Sequence, residues 1–547
     1  MQISPLAWQS LILDYPFSLT EKAVTFFDFQ SKAQQAIEQF ISNDNGSLLV
    51  LKTETLPEFL LEIQAKLSQT TSKTILKTDF NRNSVFGYSV FLEKDNKIEN
   101  IEGALQQANE GVLILDIHTL LLDVAQWDKL KQALLFGFYE PISANALPIS
   151  QSMIQSQFKL VLVGSREDIA TLATYDETLY QFAQYAEIDT YLRLNHDNTQ
   201  QWGDYVQSVT KSLIGKSFSS KGLNQLLSYY MRESESQELV SISPTLLNKY
   251  LVGLAQFFYN QTEFDEVTPY FEYLEEQAAS FNEFTTQDIL NHQLRIETEG
   301  EAVGQINGLS VVEFEGVPFA FGEPLRISCN VQYGEGEIHD IERKVELGGN
   351  IHSKGILLAQ SCLAHLLELP TQLPFSASLA FEQSYGEIDG DSSSLAIFCA
   401  LISALSDLPL PQSIAVTGAI DQFGNVLSVG GVNQKIEGFF KICQVRGLTG
   451  KQGVVIPDVC IKHLSLKSEV LTAIKSQQFF IWAVSDVFEA VEILLQQHFY
   501  DKDLPENSKE SSIFSLIHEK FDEHSNTSET SGSFLTKFCK FYSKLIR

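Results

Sequence analysis

Ile388-Asp389-Gly390-Asp391-Ser392-Ser393-Ser394 opens the stretch on which the reading of this chain turns, and Val429-Gly430-Gly431-Val432-Asn433-Gln434-Lys435 closes it. After the serines, Leu395 to Leu405 is almost wholly apolar and stops at Asp407 and Pro409. That is the pattern of a buried helix with a clear end. Asp391 suits the N-cap, which places Ser392 at the helix start, where free backbone N–H groups can hold an oxyanion. Lys435 begins a second helical pattern, Ile436 to Cys443, closed near Gly447. Its neighbours at helical spacing, Gly438, Phe439 and Ile442, are apolar or small and would solvate an ammonium poorly. A serine hydroxyl is a weak nucleophile and needs an adjacent base. Lysine serves as that base only where burial favours its neutral amine. Ser392 and Lys435 therefore read as nucleophile and base. Ser393 and Ser394 compete for the nucleophile's place, and the ordinary roles of an isolated serine and lysine are a helix cap and a solvated surface charge.

Asp389-Gly390-Asp391-Ser392 resembles the nucleophile motif of Lon proteases, and Gly430 to Lys435 resembles their Gly-Gly-x-x-x-Lys base motif, at the family's spacing. Thr417-Gly418, ahead of Asp421-Gln422-Phe423-Gly424, is similar to the threonine-glycine strand and turn between the two motifs. The resemblance favours Ser392 over its two neighbours and implies that Thr417 holds Lys435. An acid at position 391 is closer to the archaeal, membrane-type branch, since the common bacterial form has proline there. Ser394 stands where many members carry glycine or another small residue. The likeness runs from Val303 to about residue 498, with Leu379-Ala380-Phe381-Glu382-Gln383 matching a strand that lines the substrate groove in the family and can pair with an extended peptide. It implies a serine-type endopeptidase acting on peptides or unfolded proteins, assembled as a homo-hexamer. A non-proteolytic scaffold or adaptor that keeps the ring is the alternative from another class.

Upstream, Gly46 to Leu51 reads as a buried strand. A phosphate-binding G-x-x-x-x-G-K-[ST] loop would follow such a strand. The residues there are Lys52-Thr53-Glu54-Thr55-Leu56-Pro57-Glu58-Phe59, with no glycine to close a backbone around phosphates and two carboxylates to repel them. Val112-Leu113-Ile114-Leu115-Asp116 resembles the magnesium-site strand of AAA+ ATPases, with Ile117 in place of the catalytic glutamate; Phe158 to Ser165 resembles a later strand of the same fold. Strands alternating with helices imply a parallel α/β domain. The expected class is thus α/β multidomain: a degenerate AAA+ module over 1–200, a helical lid-like region over 201–300, an α+β Lon-type proteolytic domain over 301–498, and a flexible tail over 499–547 ending in a basic amphipathic helix from Phe534. Arg232 reads as a solvated helix arginine, with a remnant nucleotide sensor as the other reading.

The 547 residues suffice for several cores, with 44% hydrophobic and 20% charged residues, an ordinary globular balance. A net charge of −31 argues against nucleic acid as a partner. Six cysteines, Cys329, Cys362, Cys399, Cys443, Cys460 and Cys539, form no close pair. Neither a metal site nor a redox motif is expected from them, no cofactor is expected at all, and they read as reduced core residues of a cytoplasmic protein. The N-terminal residues lack the basic and apolar regions of a signal peptide, and no run approaches the roughly 18 apolar residues of a spanning helix, so no integral membrane association is expected.

Overall fold

The computed structural model describes residues 3–42, 47–92, 97–143, 153–370, 372–384, 386–504 and 511–524. They form two compact units. One comprises Pro16–Gln225 and Leu239–Val267; the other comprises the N-terminal segment to Tyr15, Leu226–Glu238, and everything from Thr268. The region 201–300 is therefore divided between the units.

The first unit is built on β1 (Leu48–Lys52), α1 (Pro57–Ser68), β2 (Thr74–Lys77), β3 (Val112–Asp116), β4 (Lys159–Gly164) and β5 (Ala183–Glu187). The strands lie in the order β5-β1-β4-β3-β2, and every pair is parallel. β3 is fully buried and β4 almost so, as continuous apolar runs in a two-faced parallel sheet must be. The connection from β1 to α1 is short, and Thr53 spends its N–H on the carbonyl of Gly164 at the end of β4 (3.0 Å). Asp116 ends β3 as the N-cap of the helix Ile117–Leu121, its carboxylate accepting from the N–H of His118 (2.9 Å).

The second unit carries β6 (Gln305–Val312), β7 (Phe321–Gly336), β8 (Ile338–Asp340), α2 (Ile341–Lys344), α3 (Asn350–Leu366), β9 (Leu373–Glu382), α4 (Ser394–Ser406), β10 (Ile414–Val416), α5 (Val432–Arg446), β11 (Gln452–Pro457), β12 (Phe479–Val484) and α6 (Val487–Leu495). Its seven-stranded sheet runs β8-β9-β7-β6-β10-β11-β12. The β9-β7-β6 stretch is antiparallel, and β6-β10-β11-β12 is parallel. α4 lies inside the core: of its thirteen residues, only Ala404 is not buried. The expected groove strand proves to be β9, which has β7 on one side and, from Ala377 to Leu379, β8 on the other.

Two expectations need correction. Polar composition predicted a flexible tail from 499, yet residues 513–524 are helical, with Ile513 and Ile517 fully buried in the same core as α4. Two apolar side chains at helical spacing outweigh the polar residues around them. The amphipathic helix expected from Phe534 lies outside the described residues. Arg232 is not solvated. Its guanidinium forks onto Glu437 of α5 (2.5 and 2.6 Å), within reach of Glu275 (3.7 Å). The five cysteines described are buried and free.

Candidate active site

Three backbone arrangements bring Ser392 and Lys435 together. α4 starts at Ser394 with Ser393 as its N-cap, so Ser392 sits in the turn just ahead of the helix. Asp391 shapes this turn through its main chain: its carbonyl accepts from the N–H (3.0 Å) and the hydroxyl (2.8 Å) of Ser394. The expected cap at Asp391 is thereby corrected to Ser393, because an i→i+3 turn intervenes. Next, Gly418 donates its N–H to the carbonyl of Ser392 (2.8 Å) and accepts from the N–H of Leu395 (3.1 Å), which pins the serine turn to the Thr417-Gly418 segment. Finally, α5 begins after Gly431 in the left-handed region (φ 64°), where a Cβ would also come within 2.3 Å of Val311. About two turns further, a Cβ on Gly438 would lie 2.0 Å from the carbonyl oxygen of Gly322. Helix and strand backbones touch there, and this seats α5 on β7.

The result is a short polar chain in an apolar wall. Lys435 Nζ lies 3.1 Å from Ser392 Oγ and 3.3 Å from Thr417 Oγ1. Lys435 is only 4% exposed. Burial pulls its amine down to about 8, against the opposing influence of Cys460, Glu235 and Asp391. Of the two rival serines, Ser394 is fully buried and its hydroxyl is committed to Asp391 and to the N–H of Ile420 (2.9 Å). Ser393 lines the cavity but makes no hydrogen bond to Lys435 among the described residues.

Ser392 and Lys435 open onto a cavity of about 370 Å³, lined further by Leu309, Ser310 and Val311 of β6 and by Gly430 and Gly431. β6 pairs with β10 only at Asn307 and Gly308, so Leu309–Val312 has no strand on that side among the described residues. Phe381 of β9 also lines the cavity, but its N–H is taken by the Glu342 carboxylate (2.8 Å). The free strand edge in the cavity is thus that of β6, in place of the expected β9. Asp389 accepts from the N–H groups of Ile351 (3.1 Å) and His352 (3.2 Å), fastening the serine loop to the start of α3.

Sequence reasoning missed Glu235. Its carboxylate reaches the cavity and accepts from the N–H of Gly431 (3.0 and 3.1 Å), at the mouth of the lysine helix. It lies 196 residues before Gly431, in a Ser-Glu-Ser-Gln segment that carries no motif, so no local signal marks it.

A serine-lysine pair poised between two helix starts, on an α/β scaffold preceded by a parallel α/β module, defines the class. Residues 385–496 match the Lon protease (S16) C-terminal proteolytic domain, and residues 89–189 match the LonB-like AAA domain. The chain is 41% identical over 581 aligned positions to a Lon protease homologue of Haemophilus influenzae, covering 96% of this chain and 95% of the other. It is 37% identical over 541 positions to a Lon protease homologue of Escherichia coli, covering 90% and 92%. An archaeal Lon protease of Halobacterium salinarum is 25% identical over 423 positions, 73% of this chain and 55% of its own length. The chain belongs to the Lon protease family. No helix among the described residues is long and apolar enough to cross a membrane.

Proposed function

We propose that this chain is a serine endopeptidase that cleaves peptides or unfolded proteins with Ser392 as nucleophile and Lys435 as general base. The observation that carries this reading is the 3.1 Å approach of a buried, hydrogen-bonded lysine amine to a serine hydroxyl that opens onto a cavity. In acylation, Ser392 Oγ attacks the scissile carbonyl carbon and its proton passes to Lys435 Nζ. The carbonyl oxygen becomes an oxyanion beside the N–H groups of Ser392 and Ser393, neither of which is engaged in a hydrogen bond among the described residues. Lys435 then delivers the proton to the departing amine nitrogen as the C–N bond breaks. In deacylation, water gives a proton to Lys435, its oxygen adds to the acyl carbon, and the proton passes to Ser392 Oγ as the ester bond to Oγ breaks and the carboxyl product leaves. Thr417 orients the amine throughout. An extended substrate fits alongside Leu309–Val312, the unpaired strand edge in the cavity. The module built on β1 to β5 is read as an AAA+ scaffold that has lost nucleotide chemistry, and the assembly as a homo-hexamer, which light scattering of the purified chain would check.

The test is turnover of a fluorogenic unfolded protein by wild type, Ser392→Ala and Lys435→Arg. Each variant should lose roughly 10⁴-fold or more in kcat/KM with the thermal transition retained. Arginine fails because it is never neutral in proteins. Undiminished turnover by Ser392→Ala would sink the assignment, and an inactive wild type would favour the scaffold reading.

A further inference from the structure

Behind the serine loop, in the same compact unit, three acid-base side chains meet away from solvent: Asp340 at the end of β8, Glu342 in α2, and His352 in the first turn of α3. Their available ligand atoms all lie within 4.8 Å of one another. His352 has no exposed side-chain surface, and neither ring nitrogen has a hydrogen-bond partner. Each carboxylate uses one oxygen on a backbone N–H: Asp340 accepts from Arg343 (3.2 Å) and Glu342 from Phe381 (2.8 Å). The second oxygen of each, Asp340 Oδ2 and Glu342 Oε2, is buried without a hydrogen bond, and Oδ2 faces His352 Nε2.

An ion pair alone does not account for this group. A protonated imidazole between two ionised carboxylates leaves one negative charge uncompensated away from water, which is costly, and burial pushes the Glu342 carboxyl up accordingly. A divalent cation with two carboxylates and a neutral imidazole balances. Asp340 Oδ2 and His352 Nε2 stand 3.5 Å apart. Ligands at about 2.0–2.1 Å around a tetrahedral zinc are separated by roughly 3.3 Å, close to that spacing. Backbone N–H groups holding the non-ligating carboxylate oxygens supply the outer contacts that fix a ligand's direction. The packing admits the imidazole because residue 348 is glycine: a Cβ there would lie 2.9 Å from His352 Cδ2. Asp340, with 12% of its side chain exposed, leaves a way in.

We infer that Asp340, Glu342 and His352 form a binding site for a divalent transition-metal ion, with zinc the ion this nitrogen-and-carboxylate set suits. The sequence concealed it, since the residues read Asp-x-Glu followed ten residues later by a His, without a cysteine. The ion's place is structural. The backbone N–H of His352 is held by Asp389, three residues before Ser392, so a metal at the imidazole fastens the start of α3 to the serine loop. The inference stands apart from the peptidase reading because its test needs no turnover.

Full-length protein stripped with chelator and dialysed against micromolar zinc chloride should retain one zinc per chain by mass spectrometry of the metal, with a raised thermal midpoint. Glu342→Gln, which keeps an acceptor for Phe381 N–H, should bind zinc at least ten-fold more weakly and lose the midpoint shift; His352→Gln should do the same. Cobalt in place of zinc should give visible bands in wild type alone. Should both variants fail to fold, anomalous diffraction at the zinc edge from wild-type crystals decides, and the ion must lie between these three side chains. Wild type without bound zinc, zinc retained equally by folded Glu342→Gln, or an ion located elsewhere would each overturn the inference, leaving a carboxyl pair that shares a proton.

Discussion

At the scale of single residues, Lys435 carries opposed demands. Burial removes water from its amine and brings it down to about 8, while Glu235 and Asp391 favour the charged form. A general base acts as the neutral amine, so kcat/KM for a short uncharged peptide should rise as pH increases through about 8 and level off above it. A profile flat from pH 6 to roughly pH 9 would mean that Lys435 is not the titrating group. Glu235 gives this limb a handle. Glu235→Gln keeps an acceptor for Gly431 N–H but removes the charge, so the limb should move to lower pH, and an unmoved limb would separate Glu235 from the amine. The same depression bears on stability. The unfolded chain holds the lysine proton up to about 10.4, whereas the fold gives it up near 8. The unfolded state thus binds more protons between those values, and stability should rise with pH across that window. Lys435→Met should accordingly be inactive yet more stable below pH 8, by up to about 3 kcal/mol, read from denaturant midpoints.

At the scale of elements, what was legible in the sequence is what a local pattern can encode. Apolar runs marked β1, β3 and β4, and the run from Leu395 to Leu405 marked α4, because burial on all sides demands uninterrupted hydrophobicity. Gly430-Gly431 was legible as part of the base motif, but the helix expected from Lys435 begins three residues earlier, at Val432, directly after Gly431 in the left-handed region. Features made by long-range pairing stayed hidden. Glu235 meets Gly431, Arg232 meets Glu437, and His352 meets Asp340 only after folding. The helix over 513–524 was masked by its polar neighbours. Arg232 illustrates what such pairing contributes. Its side chain is 15% exposed and that of Glu437 is 11% exposed, so their fork is largely desolvated. Arg232→Met should strand a buried carboxylate and lower stability by about 3–5 kcal/mol, measured by chemical denaturation; the double variant with Glu437→Leu should recover most of the loss. If the single variant costs no more than an exposed pair would, the fork is not desolvated in solution. At the end of the described chain, Ile517→Ala should cost about 2–4 kcal/mol, which a flexible tail would not.

At the scale of the whole molecule, the question is whether the module built on β1 to β5 works with nucleotide. Its strand order and parallel pairing are those of an intact scaffold. Phosphate binding needs something more local: consecutive free N–H groups in a loop that glycine allows to curl. After β1, Thr53 donates its N–H to Gly164, Glu54 is exposed, and Glu58 places its carboxylate within 2.9 Å of the Thr245 hydroxyl. Asp116 survives at the end of β3, but burial raises its carboxyl above the usual range, and its oxygen is already turned to the N–H of His118. A carboxylate so engaged is poorly placed to hold magnesium. The whole chain, at a net charge of −31, adds no general attraction for a polyanion. Purified protein should therefore show no ATP hydrolysis above its Ser392→Ala counterpart or buffer, and calorimetry should register no heat of Mg-ATP binding. Cleavage of an unfolded substrate should proceed at the same rate with and without ATP, within a factor of about two. A rate that rises several-fold with ATP, and falls again when a non-hydrolysable analogue replaces it, would show that the scaffold still couples nucleotide to the protease and that the phosphates are held by residues other than the β1–α1 loop.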